Sequence, residues 1–236
     1  MINRVVLVTL TISFGAGVML VGAIPGRVAL AQDNSTPTPT AAATVGAATP
    51  HIWFHENFST RANRWRLFDL SGKSTIAYEE PGQLPGLDLV AQVADYPFWT
   101  IPDSDLRLDH FDMTVSLSSL EGGEDSRVGA IVNYRAENDM VVMAISPTGT
   151  VSLGRFYFGV WTDLMPPAQV TIDLSQPITL RAKLDTDRNL TVTVNGNPGG
   201  TGQIEDFRPA GFGLFALTGQ NGGVKVIFRS FIVSDL

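Results

Sequence analysis

Residues 129–164 decide the fold, and they read GAIVNYRAENDMVVMAISPTGTVSLGRFYFGVWTDL. Three runs rich in β-branched and aromatic residues are separated there by the clusters AEND at 136–139 and PTG at 147–149. Asn, Asp and Gly tolerate the positive φ angles that tight hairpin turns require. The stretch therefore predicts consecutive antiparallel strands joined by hairpins.

The same pattern continues on both sides of this stretch, and nowhere does a 3.6-residue helical period persist. Short strands with turn chemistry between them are typical of an antiparallel sandwich or barrel. The sequence therefore predicts an all-β fold with two antiparallel sheets packed as a β-sandwich. The clearest predicted strands are 111–117, 127–135, 140–146, 151–158, 178–184, 189–194, 211–217 and 224–233.

Three segments carry a resemblance to a known superfamily. They are 129–164, the opening FHENFS at 54–59 with Trp65 after it, and the closing GFGLF at 211–215 with VIFRSFIV at 226–233. Together they resemble the concanavalin A-like lectin/glucanase jelly rolls, in their laminin G-like and 3-keto-disaccharide-hydrolase-like branches. The resemblance implies that the first and last strands of the domain pair with each other.

The N-terminal segment is built like a signal peptide. Arg4 precedes an apolar run over residues 5–24, and Ala29-Leu30-Ala31 supplies the small residues of a cleavage site. Residues 1–31 are therefore predicted to direct secretion and to be cleaved after Ala31. The alternative is an uncleaved anchor, since residues 5–24 are long enough to cross a bilayer once. In either case the rest of the chain is extracytoplasmic.

Residues 32–50 are rich in Thr, Ala and Pro and contain no aromatic side chain. Such a segment buries too little apolar surface to offset its conformational entropy, so it is predicted to be a disordered linker. The folded domain is predicted to span residues 51–236.

Composition excludes several classes of function. The chain has no cysteine, so it has neither disulfides nor thiolate metal sites. Its formal net charge is −7, and this becomes about −9 without residues 1–31. An acidic surface lacks the basic footprint that nucleic acid requires, so no nucleic-acid partner is expected.

The central hairpins carry the candidate ligand site. If residues 136–139 form a four-residue turn, Arg135 lies opposite Met140, and Asn133 and Arg135 share one solvent-facing side of the concave sheet. Planar polar groups beside aromatic rings suit sugar binding. The alternative is that these residues lie on the solvent-exposed face of an antiparallel strand and bind no ligand. The predicted glycan-binding set is Asn133, Arg135, Arg155, Tyr157 and Trp161.

The sequence gives little support for a catalytic site. The resemblance implies Glu-x-Asp-x-x-Glu for the retaining glucanases, but here Glu137 and Asp139 are followed by Val142 in the third position. Retaining hydrolysis needs two carboxyl groups about 5 to 5.5 Å apart, and a turn does not provide them. The domain is therefore predicted not to be an enzyme.

No cofactor is predicted, with a structural calcium ion as the alternative. The resemblance suggests an ion held by Glu56 or Asn57 together with Asp235, where the first and last strands meet. Hard cations favour such oxygen ligands. An acidic loop at 121–125 is a second option for the same ion.

Three functions remain open on the sequence alone. The first is an extracytoplasmic, non-catalytic domain that binds a polysaccharide or another cell-surface ligand through the concave sheet. The second is a glycoside hydrolase of the same superfamily. The third is a structural or adhesive module of the cell envelope.

Overall fold

The computed structural model describes residues 49–70 and 73–236, and every regular element in those ranges is a β-strand. The predicted signal or anchor segment and the linker up to residue 48 lie outside the described residues. No helix in the described part is long and apolar enough to cross a membrane. The strands are β1 Ile52–Glu56, β2 Phe68–Leu70, β3 Ser74–Tyr78, β4 Leu87–Ala91, β5 Pro97–Thr100, β6 Phe111–Gly122, β7 Arg127–Ala136, β8 Asp139–Ile145, β9 Thr150–Tyr157, β10 Val160–Asp163, β11 Ala168–Gln169, β12 Ile178–Leu184, β13 Asn189–Val194, β14 Asn197–Gln203, β15 Gly211–Leu217 and β16 Val224–Ser234.

The strands form two antiparallel sheets, as predicted. One sheet has nine strands, in the order β14-β13-β12-β6-β16-β4-β3-β2, with β1 also paired to β16. The other has seven, in the order β10-β9-β8-β7-β15-β5, with β11 also paired to β9. The chain passes repeatedly from one sheet to the other, which is the topology of a jelly roll. Two separate meanders would instead keep consecutive strands within one sheet.

The main core lies between the sheets and is supplied by alternate residues of the long strands. In β12, Ile178, Leu180, Ala182 and Leu184 are buried while Arg181 and Lys183 are exposed. This period of two is what a strand with one buried face requires. Strands β6, β13 and β16 alternate in a similar way, so the burial of their apolar faces holds the sandwich together.

The first and last strands pair, as the resemblance implied. Glu56 of β1 lies opposite Phe231 of β16, and Phe54 lies opposite Val233. The ring of Phe231 is fully buried and stacks on Phe212, with 5.4 Å between ring centroids. Phe58 is also buried, but it follows the end of β1 instead of lying within it.

The central hairpin differs from its prediction. Ala136 lies opposite Asp139, so the turn has two residues instead of four. The pairing then shifts twice, which puts Asn133 opposite Val141 and Tyr134 opposite Met140. Each shift marks a β-bulge, and a bulge changes which side chains share a face. The predicted partners of Asn133 and Arg135 were therefore wrong.

Candidate functional site

An open cleft of about 680 Å³ lies where the β7–β8 hairpin and β9 meet the segment that joins β14 to β15. We call it the arginine cleft. Residues that line it include four arginines, two aspartates and one tyrosine. They are Arg107, Tyr134, Arg135, Asp139, Arg155, Asp206 and Arg208.

Arg135 is the most enclosed arginine of the cleft, with 15% of its side chain exposed. Its Nε donates to Asn133 Oδ1 at 2.9 Å, and Nη1 donates to Asp206 Oδ2 at 2.7 Å. Nη2 donates to the backbone oxygen of Asp206 at 2.8 Å and to Oδ1 at 3.1 Å. This guanidinium therefore fixes both the backbone and the side chain of Asp206.

Arg155 forms the second ion pair of the cleft. Its Nε and Nη2 donate to the two carboxylate oxygens of Asp139, each at 2.9 Å, which is the planar bidentate arrangement that Arg favours. Its Nη1 donates to Asp206 Oδ2 at 3.1 Å. The guanidinium carbon also lies 4.9 Å from the centre of the exposed Tyr157 ring. Arg155 thus links both aspartates to an aromatic ring.

The segment that carries Asp206 is anchored on both sides. Phe207 is buried in the main core, and Arg188 packs over its ring at 4.9 Å. The side-chain amide of Asn133 donates to the backbone oxygen of Arg208 at 2.8 Å. Asp206 and Arg208 are therefore held at the cleft by a fixed backbone although their side chains are exposed.

Hydrogen bonds from Arg135 lower the pKa of Asp206 to about 2 against the opposing effect of burial, and the charges of Arg135 and Arg155 lower it further. Asp206 is therefore ionised at neutral pH and accepts hydrogen bonds. The hydrogen bonds and charge of Asp139 raise the pKa of Arg155 further above its ordinary value.

A second cavity of about 440 Å³ shares Arg155 and Asp206 with the arginine cleft. Its other lining residues include Asp163, Gln203 and Glu205. The Arg155–Asp206 pair therefore stands between two openings. We call the two cavities together the end groove.

The structure brings together four of the five predicted ligand residues, but not on the face where they were expected. Asn133, Arg135, Arg155 and Tyr157 meet at the arginine cleft. Asn133 and Arg155 both lie opposite Val141, whose side chain belongs to the main core, so they point to the inner side of the sheet. Asn133 is only 1% exposed, so the prediction that it faces solvent beside Arg135 on the open side of a sheet is wrong.

Trp161, the fifth predicted residue, lies elsewhere. It belongs to a small apolar cluster on the outer face of the seven-stranded sheet, together with Phe156 and Phe215. A Cβ built on Gly154 would come within 2.3 Å of its ring, so the indole rests directly on the backbone of that glycine. Arg127 packs over the ring at 4.4 Å. Trp161 therefore packs against the sheet and does not reach the arginine cleft.

The sequence reasoning missed Asp206, Arg107 and Arg208. None belongs to a recognisable local motif, and Asp206 lies 71 positions from Arg135. The only local hint was the mixture of charged residues and Pro209 between two predicted strands, which indicates a loop and not a site.

Several solved structures share this fold. The carbohydrate-binding module CBM66 from Bacillus subtilis superimposes with a TM-score of 0.52 at 9% identity, covering 70% of this chain and 91% of that one. The Bacillus licheniformis beta-glucanase superimposes with a TM-score of 0.57 at 11% identity, covering 80% and 100%. A Bacillus subtilis protein described as having a galectin-like fold gives 0.54 at 11%, covering 78% and 96%.

The fold is that of the concanavalin A-like sandwiches. At these identities the likeness concerns the fold alone. No family model matches the chain, and no curated protein matches its sequence.

The carboxylate pattern that the resemblance implies for retaining glucanases is not reproduced at 137–142. Glu137 is exposed in the two-residue turn, and Asp139 lies at the start of β8 in ion pairs with Arg135 and Arg155. Asp139 is thus part of an ion-pair network instead of the solvated turn residue that the sequence suggested.

The predicted calcium ligands are not brought together. The backbone N–H of Asp235 donates to the backbone oxygen of His51, whereas Glu56 lies opposite Phe231, so the two acids are on the order of 13 Å apart along the direction of β16. The Glu56 carboxylate is buried and accepts from Asn63 at 2.8 Å and from the Trp65 indole at 3.2 Å. Within 49–70 and 73–236, no three acidic or histidine side chains are grouped to hold a metal ion. The prediction that these acids are neighbours was wrong because the strands pair antiparallel, which puts Asp235 beside the start of β1 and Glu56 at its end.

The acidic loop offers no better site. Asp125 Oδ2 accepts the backbone N–H of Gln220 at 2.8 Å, and its side chain packs closely against Gly219. This carboxylate therefore fastens the loop between β15 and β16 to the loop between β6 and β7.

Proposed function

We propose that this protein is an exported, non-catalytic domain that binds a glycan in the end groove. The observation that carries the proposal is the Arg155–Asp206 pair, which stands between two cavities and is fixed by Arg135 and Asp139. Sugar hydroxyls need both donors and acceptors in fixed positions. An ionised aspartate beside oriented guanidinium groups supplies both.

Aromatic rings at the groove support the same proposal. Tyr134 lines the arginine cleft, and the exposed ring of Tyr157 stands beside Arg155. Aromatic rings pack against the apolar faces of sugars while neighbouring polar groups bind the hydroxyls. The two cavities share Arg155 and Asp206, so a chain of several sugar units bound across this pair would contact both.

Binding is favoured over hydrolysis because both aspartates of the arginine cleft form ion pairs with arginines. A general acid must be protonated at the working pH, and the pKa of Asp206 is about 2. Asp139 uses both carboxylate oxygens on Arg155. Glycoside hydrolysis by carboxyl groups elsewhere in the domain is the competing function.

The comparisons support carbohydrate as the ligand class. One similar structure is named as a carbohydrate-binding module and another as a beta-glucanase. We extend that ligand class, and neither protein's own specificity, to this chain. A polysaccharide is therefore the partner that we propose.

Export is proposed from the N-terminal pattern alone. Arg4, the apolar run at 5–24 and Ala29-Leu30-Ala31 are the parts of a signal peptide. The mass of the protein recovered from cells tests this, since cleavage after Ala31 and retention of residues 5–24 as a membrane anchor give different masses. Recovery of the intact chain from the cytoplasm would exclude export.

A glycan array probed with the full chain tests the proposed binding. We expect selective binding that weakens by at least about tenfold in Asp206→Asn, because hydrogen bonds to a charged group contribute about 1.5 to 3 kcal/mol. The matched control is Asp187→Asn, which also removes one exposed carboxylate, in the turn before β13. Incubation of each bound glycan with the protein, followed by analysis of reducing ends, separates binding from hydrolysis. Absence of binding to every glycan would reject the proposal.

A further inference from the structure

The charges of the arginine cleft do not balance. Four guanidinium groups face two carboxylates, so the lining carries an excess of two positive charges. The chain as a whole has a formal net charge of −7, so this excess does not follow from a basic composition. A concentration of positive charge on an otherwise acidic protein indicates attraction to an anion.

Two of the four arginines account for this excess of positive charge. Arg135 and Arg155 are paired with Asp139 and Asp206. Arg107 and Arg208 form no ion pair with any residue in the described part of the chain. They are therefore the cationic groups of the cleft left available to a ligand.

Arg107 is held in place without losing its charge. Its Nη1 donates to the backbone oxygens of Ser104 at 3.2 Å and Leu106 at 2.8 Å. Those acceptors orient the guanidinium but do not neutralise it. Its remaining N–H groups are free of hydrogen bonds to described residues, and they suit the planar oxygens of a carboxylate or sulfate.

Arg208 is positioned through its backbone. Asn133, itself 1% exposed, donates its side-chain amide to the Arg208 carbonyl at 2.8 Å. The Oδ1 atom of the same asparagine accepts from Arg135 Nε, so one side chain both orients Arg135 and fixes the backbone that carries Arg208. The exposed guanidinium of Arg208 thus starts from a fixed backbone at the lining of the cleft.

We propose that the end groove binds an acidic glycan, whose carboxylate or sulfate groups are held by Arg107 and Arg208 in the arginine cleft. This inference rests on the proposed glycan-binding function and adds the class of ligand. The paired residues Arg155 and Asp206 bind hydroxyls, while Arg107 and Arg208 select sugars that carry a negative charge. Neutral glycans lack the groups that would compensate these two arginines.

The test is calorimetric titration of the full chain with four saccharides at low ionic strength. They are an oligogalacturonate, its fully methyl-esterified form, a sulfated galacto-oligosaccharide and a neutral cello-oligosaccharide. We expect binding of a charged saccharide and at least about tenfold weaker binding of the neutral ones. Whether the carboxylated or the sulfated compound binds more tightly identifies the source of the anion, and either result supports the inference.

The variants Arg208→Gln and Arg107→Gln remove the two available charges, and Lys225→Gln is the matched control. Lys225 is an exposed cation on β16 in the other sheet. We expect each arginine variant to bind the charged saccharide at least about tenfold more weakly and to show a smaller loss of affinity when salt is added, because fewer ion pairs remain to be screened. Lys225→Gln should bind like the wild type.

Two results would overturn the inference while leaving the proposed function intact. One is binding of the wild type to a neutral saccharide, either the methyl ester or the cello-oligosaccharide, that is at least as tight as its binding to both charged saccharides. The other is glycan binding that Arg208→Gln and Arg107→Gln leave at the level of Lys225→Gln. Failure of the wild type to bind any saccharide, charged or neutral, would instead reject the glycan-binding function on which the inference rests.

Discussion

Arg135 Nη1 lies 2.7 Å from Asp206 Oδ2, and this contact joins residues 71 positions apart in the sequence. Arg135 belongs to β7, whereas Asp206 belongs to the segment through which the chain passes from the nine-stranded sheet to the seven-stranded sheet. The ion pair therefore contributes to the fold as well as to the groove. Its members cannot be treated as surface residues whose removal affects only binding.

Arg135→Ala should destabilise the protein. Removal of the guanidinium leaves the buried Asn133 oxygen without its donor, while the exposed Asp206 regains water. We expect a loss of about 1 to 2 kcal/mol in the free energy of unfolding. Urea denaturation measures it, with Lys225→Ala as a control that should stay within about 0.5 kcal/mol of wild type. Equal stability of the two variants would show that the pair has no structural role.

Asp206 should make stability depend on pH in acid. Its pKa is about 2 in the folded protein against an ordinary value of 3.8, so its ionised form favours folding. A lowered folded-state pKa gives a contribution that is complete above about pH 4 and is lost as pH falls toward 2. The difference in unfolding free energy between wild type and Asp206→Asn should therefore shrink between pH 4 and pH 2. Denaturant titrations at pH 6, 4, 3 and 2 measure it, and a constant difference would contradict the assignment.

The sequence predicted the sheets well because their signal is local. Alternation within β12 and the turn chemistry at 147–149 need no knowledge of distant residues. The pairing of β1 with β16 came instead from the resemblance. Register within the β7–β8 hairpin was mispredicted because two bulges shift the pairing, and residues 131–136 carry no glycine to mark them.

The sequence predicted only some residues of the site, because the others are placed by contacts that are not local in the sequence. Asn133 and Arg135 lie on β7, and Arg155 and Tyr157 lie on β9. Both strands pair with β8, so the spacing of two consecutive hairpins was enough to group these residues. Their partner Asp206 comes from a loop whose position depends on the burial of Phe207 in the core. That placement depends on tertiary packing, which periodicity does not report.

Gly154→Ala should disturb the outer face of the seven-stranded sheet. The added methyl group would lie 2.3 Å from the Trp161 ring, closer than any real contact, so the indole must move off the sheet. Overpacking of this kind costs typically about 1 to 3 kcal/mol. Thermal unfolding and near-ultraviolet circular dichroism of the tryptophans measure the change.

Gly211→Ala is the control for that substitution. A Cβ at Gly211 would meet its nearest neighbour at 3.7 Å, an ordinary contact, so stability should be unchanged or slightly higher. If both alanine variants melt at the wild-type temperature with the same tryptophan spectrum, Trp161 does not rest on Gly154.

Phe231→Ala tests the pairing of the first and last strands at the position where β1 ends, since Phe231 lies opposite Glu56. The ring is fully buried and contacts Phe212, Phe54 and Trp65, with centroid separations of 5.4, 5.9 and 5.8 Å. Its removal opens a cavity between strand β1, strand β15 and the segment after β1, and loss of a buried phenylalanine costs about 3 to 5 kcal/mol. Ile52→Ala, on the same strand pair but 55% exposed, should cost far less. Urea denaturation of both variants measures the difference, and similar midpoints for the two would show that β1 does not close the core against β16.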